Sequence, residues 1–261
     1  TSTNQTGVVP GSDYNKYAFS VNAGMNFTKN FTGRISAQYI RSDSEGRPAQ
    51  GANDSNLLIP LINGLPRTID IHDIQKNWVD ENGKQITLDP EGKSNNPYWI
   101  INRNMFNTDR DRYIMSLSMK WNITNWLNII GRARVDNAYT DFERKLYAST
   151  DGLFSKSQGN YMTQEDKNTA TYLDFLVNID KKFGENYHLL VNLGGSYYDE
   201  KYKSSTFEGN LLGVPNFFHP SNIPSTESGY SKQSLHTQTQ SLYGKAELGY
   251  RNFLYADVTS R

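Results

Sequence analysis

The chain of 261 residues contains no cysteine, no excess of either charge and no long apolar run. Without cysteine it has no disulfide, no thiolate nucleophile and no cysteine-based zinc site. Lys plus Arg and Asp plus Glu number 27 each, so no global field attracts nucleic acid, and no nucleic-acid partner is expected. No apolar run reaches the roughly 18 residues of a membrane-spanning helix. The chain is therefore either soluble or spans a membrane as strands.

Aromatic residues are abundant, and apolar residues recur in a two-residue rhythm. Aromatics make up 13% of the sequence, with 17 Tyr and 12 Phe, although mean hydropathy is −0.70. About eight segments place apolar residues at every second position, the period of a β-strand with one apolar face. Phe19 and Val21, for example, alternate with Ser20 and Asn22. The pattern predicts an all-β, antiparallel fold, since a sustained helical period is almost absent.

Connections between these segments alternate between short and long. Such asymmetry is typical of transmembrane β-barrels, which have short periplasmic turns and long extracellular loops. Compact soluble domains rarely contain several structureless connections of this length. The short turns are predicted near residues 28–30, 122–125, 184–186 and 251–252, and the long loops near 44–108, 142–168 and 205–236.

Aromatic residues also mark both ends of the apolar faces. The residues that flank the short turns on the apolar parity are Phe27, Phe31, Trp121, Phe183, Tyr187 and Tyr250. The far ends of the same faces carry Tyr17, Tyr39, Tyr113, Tyr139 and Tyr197. At ~3.3 Å per residue and a tilt near ~40°, the separation corresponds to roughly 20 to 26 Å of height. The first six residues are therefore predicted to form a membrane girdle.

A soluble β-sandwich is the main structural alternative, because alternation also arises when one face packs on a protein core. It does not require aromatic residues at both ends of one face. The two folds differ in one observable. A closed, dry core would enclose the apolar parity, represented by Phe19, Val21, Leu117, Ile129 and Val177, whereas a barrel exposes it to lipid.

The polar parity is expected to face a water-filled lumen. Its charged residues could contact a solute or a plug, and the sequence leaves both possibilities open. The candidate lumen-facing residues are Arg34, Lys120, Arg132, Arg134, Asp136, Asp174, Lys245 and Glu247.

Aromatic residues in the predicted loops form a second group of candidates. An exposed ring can bind a solute or a lid protein, since aromatics supply contact area at low entropic cost. It can also simply pack one loop against its neighbours, which is the favoured interpretation. The candidates for solute or lid contact are Tyr98, Trp99, Phe106, Phe217 and Phe218.

Catalytic and metal chemistry have little support in the sequence. Asp174 with Asp180, or Asp136 with Glu247, could form a hydrolytic carboxylate pair, but charges are ordinary in a wet lumen. The four histidines lack metal-ligand spacing. Gly194-Gly195 has no following helix to form a phosphate loop and is expected to relieve crowding at a bulge or bend. No enzymatic activity, metal or cofactor is expected.

Several short motifs carry a family resemblance. They are 7-GVVPG-11, 65-LPRTID-70, 96-NPYW-99 followed by 102-NRN-104 and 109-DRDRY-113, 214-VPNFF-218, and 241-SLYG-244 continuing to 257-DVTSR-261. In this order, nearly end to end, the chain resembles SusC/RagA-type TonB-linked outer-membrane transporters of the Bacteroidota.

The resemblance implies a 22-stranded barrel in the cell outer membrane, surrounded by lipid and filled by a plug on which TonB acts. It also implies a SusD-like surface lipoprotein and import of oligosaccharides or peptides. Residues 1–261 are expected to be a mid-barrel part, without the plug, the TonB box or the closing strands. Two alternatives remain open: a binding or adhesion barrel without transport, and a barrel-embedded hydrolase.

Overall fold

The computed structural model describes residues 1–49, 55–57, 68–88, 94–151, 157–251 and 253–261. One motif of the family resemblance, at 65–70, lies partly outside these ranges. The described residues form nine strands in a single antiparallel sheet whose spatial order equals the chain order. The strands are β1 (Ser2–Thr6), β2 (Asp13–Asn26), β3 (Phe31–Glu45), β4 (Asn104–Asn122), β5 (Leu127–Tyr147), β6 (Gly159–Phe183), β7 (Tyr187–Asn210), β8 (Ser228–Tyr250) and β9 (Leu254–Ser260).

The sheet is an open meander with β1 and β9 at its edges. Each strand pairs with its successor in an unbroken register, as in Ile35 with Leu117 and Ile129 with Val177. Because side chains alternate between faces, this register places the apolar parity of every strand on one side. The all-β, antiparallel fold predicted from the sequence is confirmed.

Local hydrogen bonds close the short turns where the sequence predicts them. In the first turn the Phe27 amide donates to the Phe31 carbonyl at 2.9 Å, and Thr28 Oγ1 accepts from the Phe31 amide at 3.1 Å. The β4–β5 turn repeats the pattern, with the Ile123 amide donating to the Leu127 carbonyl at 2.9 Å. Gly184, at φ +58°, supplies the left-handed residue of the β6–β7 turn.

The strands extend further than the sequence pattern predicts. The connections at the other edge are 46–103, 148–158 and 211–227. The second and third are considerably shorter than the predicted loops, and the first is only slightly shorter. The strand ends next to these long connections, termed the outer ends, are polar on both faces. An example is the run Gln164, Glu165, Asp166 and Lys167 of β6. Alternation of polarity is invisible in such a run, although the backbone ladder continues through it.

Four short elements of the described chain were not predicted, one of them the 3-10 helix Pro220–Asn222. β1 pairs with the start of β2, and its sequence is polar on both faces. Helix α1 (Ile71–Lys76) begins after the cap Asp70, and helix α2 (Pro97–Arg103) begins after the cap Asn96, whose side chain accepts from the Tyr98 amide. None of the described helices is long and apolar enough to cross a membrane.

Candidate functional site: inner wall, outer face and loop layer

The apolar side chains of the strands lie on one face of the sheet, the outer face, where many of them are exposed. The opposite, more polar face is the inner face. Phe19 is 68% exposed, Val21 and Leu117 are also exposed, and Ile129 and Val177 are half-buried. None of these five residues lies in a dry core, so the sandwich alternative is not supported. An apolar face of this extent needs a covering, because soluble proteins rarely leave a large contiguous apolar patch in water.

Aromatic rings border this apolar face at both heights. At the short-turn edge the rings of Phe27 and Phe31 stack with centroids 5.1 Å apart, and those of Tyr187 and Tyr250 lie 5.2 Å apart. At the opposite edge Tyr39 and Tyr113 stack at 4.9 Å. Tyr and Trp belong where one end of the ring is apolar and the other wet. Trp121 and Phe183, also exposed at the short-turn edge, complete the set of six residues predicted as a girdle.

The inner face is held together by ion pairs between neighbouring strands. Arg132 on β5 contacts Asp174 on β6 through two hydrogen bonds, from Nε at 2.8 Å and Nη2 at 2.5 Å. The Tyr172 hydroxyl donates to the same carboxylate at 3.1 Å. The Asp174 side chain is only 1% exposed, whereas that of Arg132 is 50% exposed. This face therefore exposes the guanidinium and hides the carboxylate.

A second ion-pair cluster lies on the same face, with its carboxylate two levels towards the long loops. Arg112 on β4 donates to both oxygens of Asp136 on β5, at 2.8 and 2.6 Å. Arg134 donates to Asp136 Oδ2 at 3.1 Å. Two guanidinium groups thus share one carboxylate, and the local surface is cationic.

A row of amides lies on the side of the first cluster that faces the short turns. Asn178 on β6 donates to Asn128 on β5 at 2.8 Å, and Asn192 on β7 donates to Asn178 at 2.5 Å. Next to Asn192 on β8 stands Lys245, which pairs with Glu247 at 3.0 Å. Arg34 and Lys120 lie at this short-turn end of the inner face, opposite Ser118 and Thr32 respectively.

The carboxylates that could have formed a hydrolytic pair are engaged elsewhere. Asp174 and Asp136 each bind arginine, and Asp180 contacts His188 Nε2 at 2.6 Å. Glu247 pairs with Lys245. Within the described ranges there is also no group of three or more His, Asp or Glu residues placed to hold a metal ion.

Two glycines of β7 relieve crowding, as the sequence predicts, but not at a bulge. The ladder runs through Gly194 and Gly195 without interruption, so no bulge lies there. A Cβ at Gly194 would lie 2.5 Å from the ring of Tyr243 on the inner face. A Cβ at Gly195 would lie 2.8 Å from the ring of Phe175 on the outer face. Both glycines make room for an aromatic ring of a neighbouring strand.

The loop segments around α2 form a packed layer with its own polar core. Trp99 is 1% exposed, and its Nε1 donates to Thr150 Oγ1 at 2.8 Å. Thr150 donates in turn to Asn104 at 2.9 Å, and Asn104 donates to Ser55 at 2.9 Å. Trp99 is thus a packing residue and does not present its ring to a solute or lid, which corrects that candidate.

The other four loop candidates differ in their surroundings. Phe218 packs edge-on against Tyr147 at 4.8 Å and near Tyr161 at 6.0 Å. Phe106 lies 6.4 Å from Phe142, and Tyr98 is half-buried in α2. Only Phe217 of these five candidates has a largely open ring, 53% exposed and stacked on His219. Loop packing is therefore the main role of the group, and Phe217 is the best-placed contact residue.

A second small core fastens the 211–227 connection to the outer ends of the strands. Tyr161, Leu211 and Ile223 are buried together. The Tyr161 hydroxyl donates to Glu143 at 2.9 Å. Burial, reinforced by this hydrogen bond, raises the pKa of Tyr161 to about 12, so the phenol stays protonated and keeps donating.

No protein-family model and no curated protein matches the sequence, but solved structures match its fold. The RagAB peptide importer in its open-open state is similar in fold, with a TM-score of 0.72 and 12% identity, over 95% of this chain and 27% of that chain. Its closed-closed state gives 0.70 and 13% over the same shares. The chain shares the fold of part of the RagAB importer's chain.

This finding confirms the family resemblance at the level of the fold. The chain spans 27% of the length of the RagAB chains it matches. Its nine described strands are one more than the eight predicted, because β1 carries no alternation.

Sequence reasoning identified most charges of the inner face but not their partners. Arg112 was missed as an inner-face residue because it lies in the polar run 107–112, where neither parity is apolar. Arg132 and Asp174 are 42 positions apart with a connection between them, so their pairing needs the register of β5 with β6. The apolar pairs Ile129 with Val177 and Ala133 with Leu173 would have supplied that register.

Proposed function

We propose that this chain is part of the wall of a transporter that imports oligosaccharides or peptides across the outer membrane. The observation that carries the proposal is the fold likeness to a peptide importer over 95% of the chain. Energy would come from TonB acting on a plug, and a SusD-like surface lipoprotein would capture the solute. The activity is proposed for the whole protein, since the chain spans only 27% of the importer chain.

The physical chemistry of the two faces supports this role. The apolar outer face with aromatic borders suits lipid, and the hydrogen-bonded inner face suits a wet lumen or a polar plug. Bidentate ion pairs such as Arg132–Asp174 brace adjacent strands without closing the lumen. In this proposal the wall is passive and has no enzymatic step.

A binding or adhesion barrel is the competing function. It would use the same loops and the same outer face, but it would hold its ligand at the surface. The two functions differ in whether a bound solute accumulates inside the cell and whether accumulation requires TonB.

The deciding experiment follows labelled oligosaccharides and labelled peptides in the native host. We expect deletion of the gene to abolish uptake of one solute class, and the full-length gene to restore it. Loss of TonB, or of the SusD-like lipoprotein, should lower uptake while the barrel remains in the outer membrane. Surface binding that persists without any TonB-dependent accumulation would support the adhesion function instead.

A further inference from the structure

A row of lysines lies on the outer face, between the apolar band and the long loops. Lys167 on β6 stands directly opposite Lys203 on β7, and on its other side it faces Tyr139 of β5. The Lys167 ammonium lies 5.1 Å from the centre of the Tyr139 ring. Like charges directly opposite each other across an antiparallel pair destabilise a sheet. Such a pair calls for an anionic partner.

The described residues do not provide that partner. No ion pair of the described chain includes Lys167 or Lys203, and both side chains are exposed. On the level nearer the lipid, Lys201 lies 3.6 Å from Asp199, whose carboxylate is also bound by His236 at 2.6 Å.

The acids on the level beyond the lysines stay in their own row. Asp141 and Glu165 stand opposite each other, and Lys232 lies on the same level of the outer face, opposite Ser205. Asp141 and Glu165 take part in no ion pair with the lysine row. Asp111 lies on the lysine level two strands from Lys167, opposite Tyr139, and Asp109 lies opposite Asp141 on the level beyond. Lys167 and Lys203 are therefore two opposed cations that no described carboxylate pairs with, although acids lie on neighbouring strands.

The height of this row places it outside the hydrocarbon. The apolar outer face of β7 ends at Tyr197, and Lys201 and Lys203 follow four and six residues later. At ~3.3 Å per residue and a tilt of ~40°, these residues stand about 10 and 15 Å beyond the apolar edge. Flexible lysine stems extend that reach in either direction.

We propose that Lys167 and Lys203, supported by Lys201, bind phosphate groups of membrane-lipid headgroups in the leaflet that faces the long loops. An anion between the two ammonium groups removes their repulsion, and basic residues beside a membrane are attracted to anionic lipids. The inference rests on the proposed function, because it requires the apolar band to lie in lipid.

The test measures lipid binding to the full-length protein purified in neutral detergent. The probes are bisphosphorylated lipid A, its dephosphorylated form and inorganic phosphate, read by native mass spectrometry. We expect lipid A to bind and salt to weaken the binding. At about fivefold per lysine, the double variant K167Q/K203Q should bind about twenty-five-fold more weakly. The matched control is K120Q/K245Q, which removes the same charge from the inner face and should leave binding unchanged.

Three results would overturn the inference. The dephosphorylated lipid would bind as tightly as lipid A, the two double variants would bind lipid A equally, or K167Q/K203Q would lose only its association with the surface lipoprotein. Inorganic phosphate that competes at low concentration would also contradict a lipid-specific site. Failure of the proposed function is seen separately. In that case the wild-type protein would not fractionate with the outer membrane, whatever its affinity for lipid A.

Discussion

Leu117 provides a direct test of the lipid-facing assignment. It lies on the outer face of β4, four residues from Tyr113 at one aromatic border and four from Trp121 at the other. At ~3.3 Å per residue and ~40° of tilt it is about 10 Å from either border, and so close to the middle of the band. The residue is 38% exposed, with Ile35 and Ala133 on the neighbouring strands.

Replacing Leu117 with Arg puts a guanidinium near the middle of the hydrocarbon. Transmembrane barrels lose about 2–4 kcal/mol when Arg is placed at this depth on the lipid face. The control is Asn22→Arg, at mid-height on the inner face of β2, where the described residues give the Asn22 side chain no hydrogen bond to lose. A charge there meets water, so the expected cost is below about 1 kcal/mol.

The assay is denaturant unfolding of the full-length protein in lipid vesicles, followed by tryptophan fluorescence. The predicted result is a clear drop in midpoint for Leu117→Arg and a small change for Asn22→Arg. Equal destabilisation by the two variants would refute the assignment of faces. A wild-type protein that stays folded and monomeric in water without detergent would refute it as well.

Three further predictions concern particular contacts. Gly159→Ala should destabilise the β5–β6 end by about 2 kcal/mol, because Gly159 has φ +105° and its Cβ would lie 2.7 Å from a backbone oxygen; Gly229→Ala, with 3.8 Å of room, is the control in limited proteolysis. A double-mutant cycle on Arg132→Ala and Asp174→Ala should give a coupling of about 1–2 kcal/mol in the same unfolding assay, and additivity would contradict the ion pair. Trp99→Phe removes the indole donor from a buried partner and should cost about 1–3 kcal/mol locally, seen as faster protease cleavage of the loop layer at an unchanged global midpoint.

The outer face could be predicted from the sequence because lipid selects for a property and not for a partner. Phe19, Val21 and Leu117 each need only be apolar at the correct parity, which is visible one strand at a time. The tight turns could be predicted for a similar reason, because they depend on residues that are adjacent in sequence. Thr28 Oγ1 accepts from the Phe31 amide within one turn, and Gly184 supplies the positive φ of another. The strand ends near the long loops could not be predicted, because residues such as Glu165 and Asp166 are polar on both faces and show no alternation.

The inner wall follows a different rule, and this sets where sequence reasoning stopped. The role of Asp136 depends on its partners, which are Arg112 on the neighbouring strand and Arg134 on the same strand. The alternation of polar and apolar residues does not reveal these partners. Replacing Arg112 with another polar residue would keep the alternation unchanged, yet Asp136 would lose one of its two guanidinium partners. Specificity for a solute or a plug is of the same kind, since it depends on which groups the wall presents. Arg132 and Asp174 are neutral when their charges are summed, but only the guanidinium is exposed, so the wall presents a positive charge at this point.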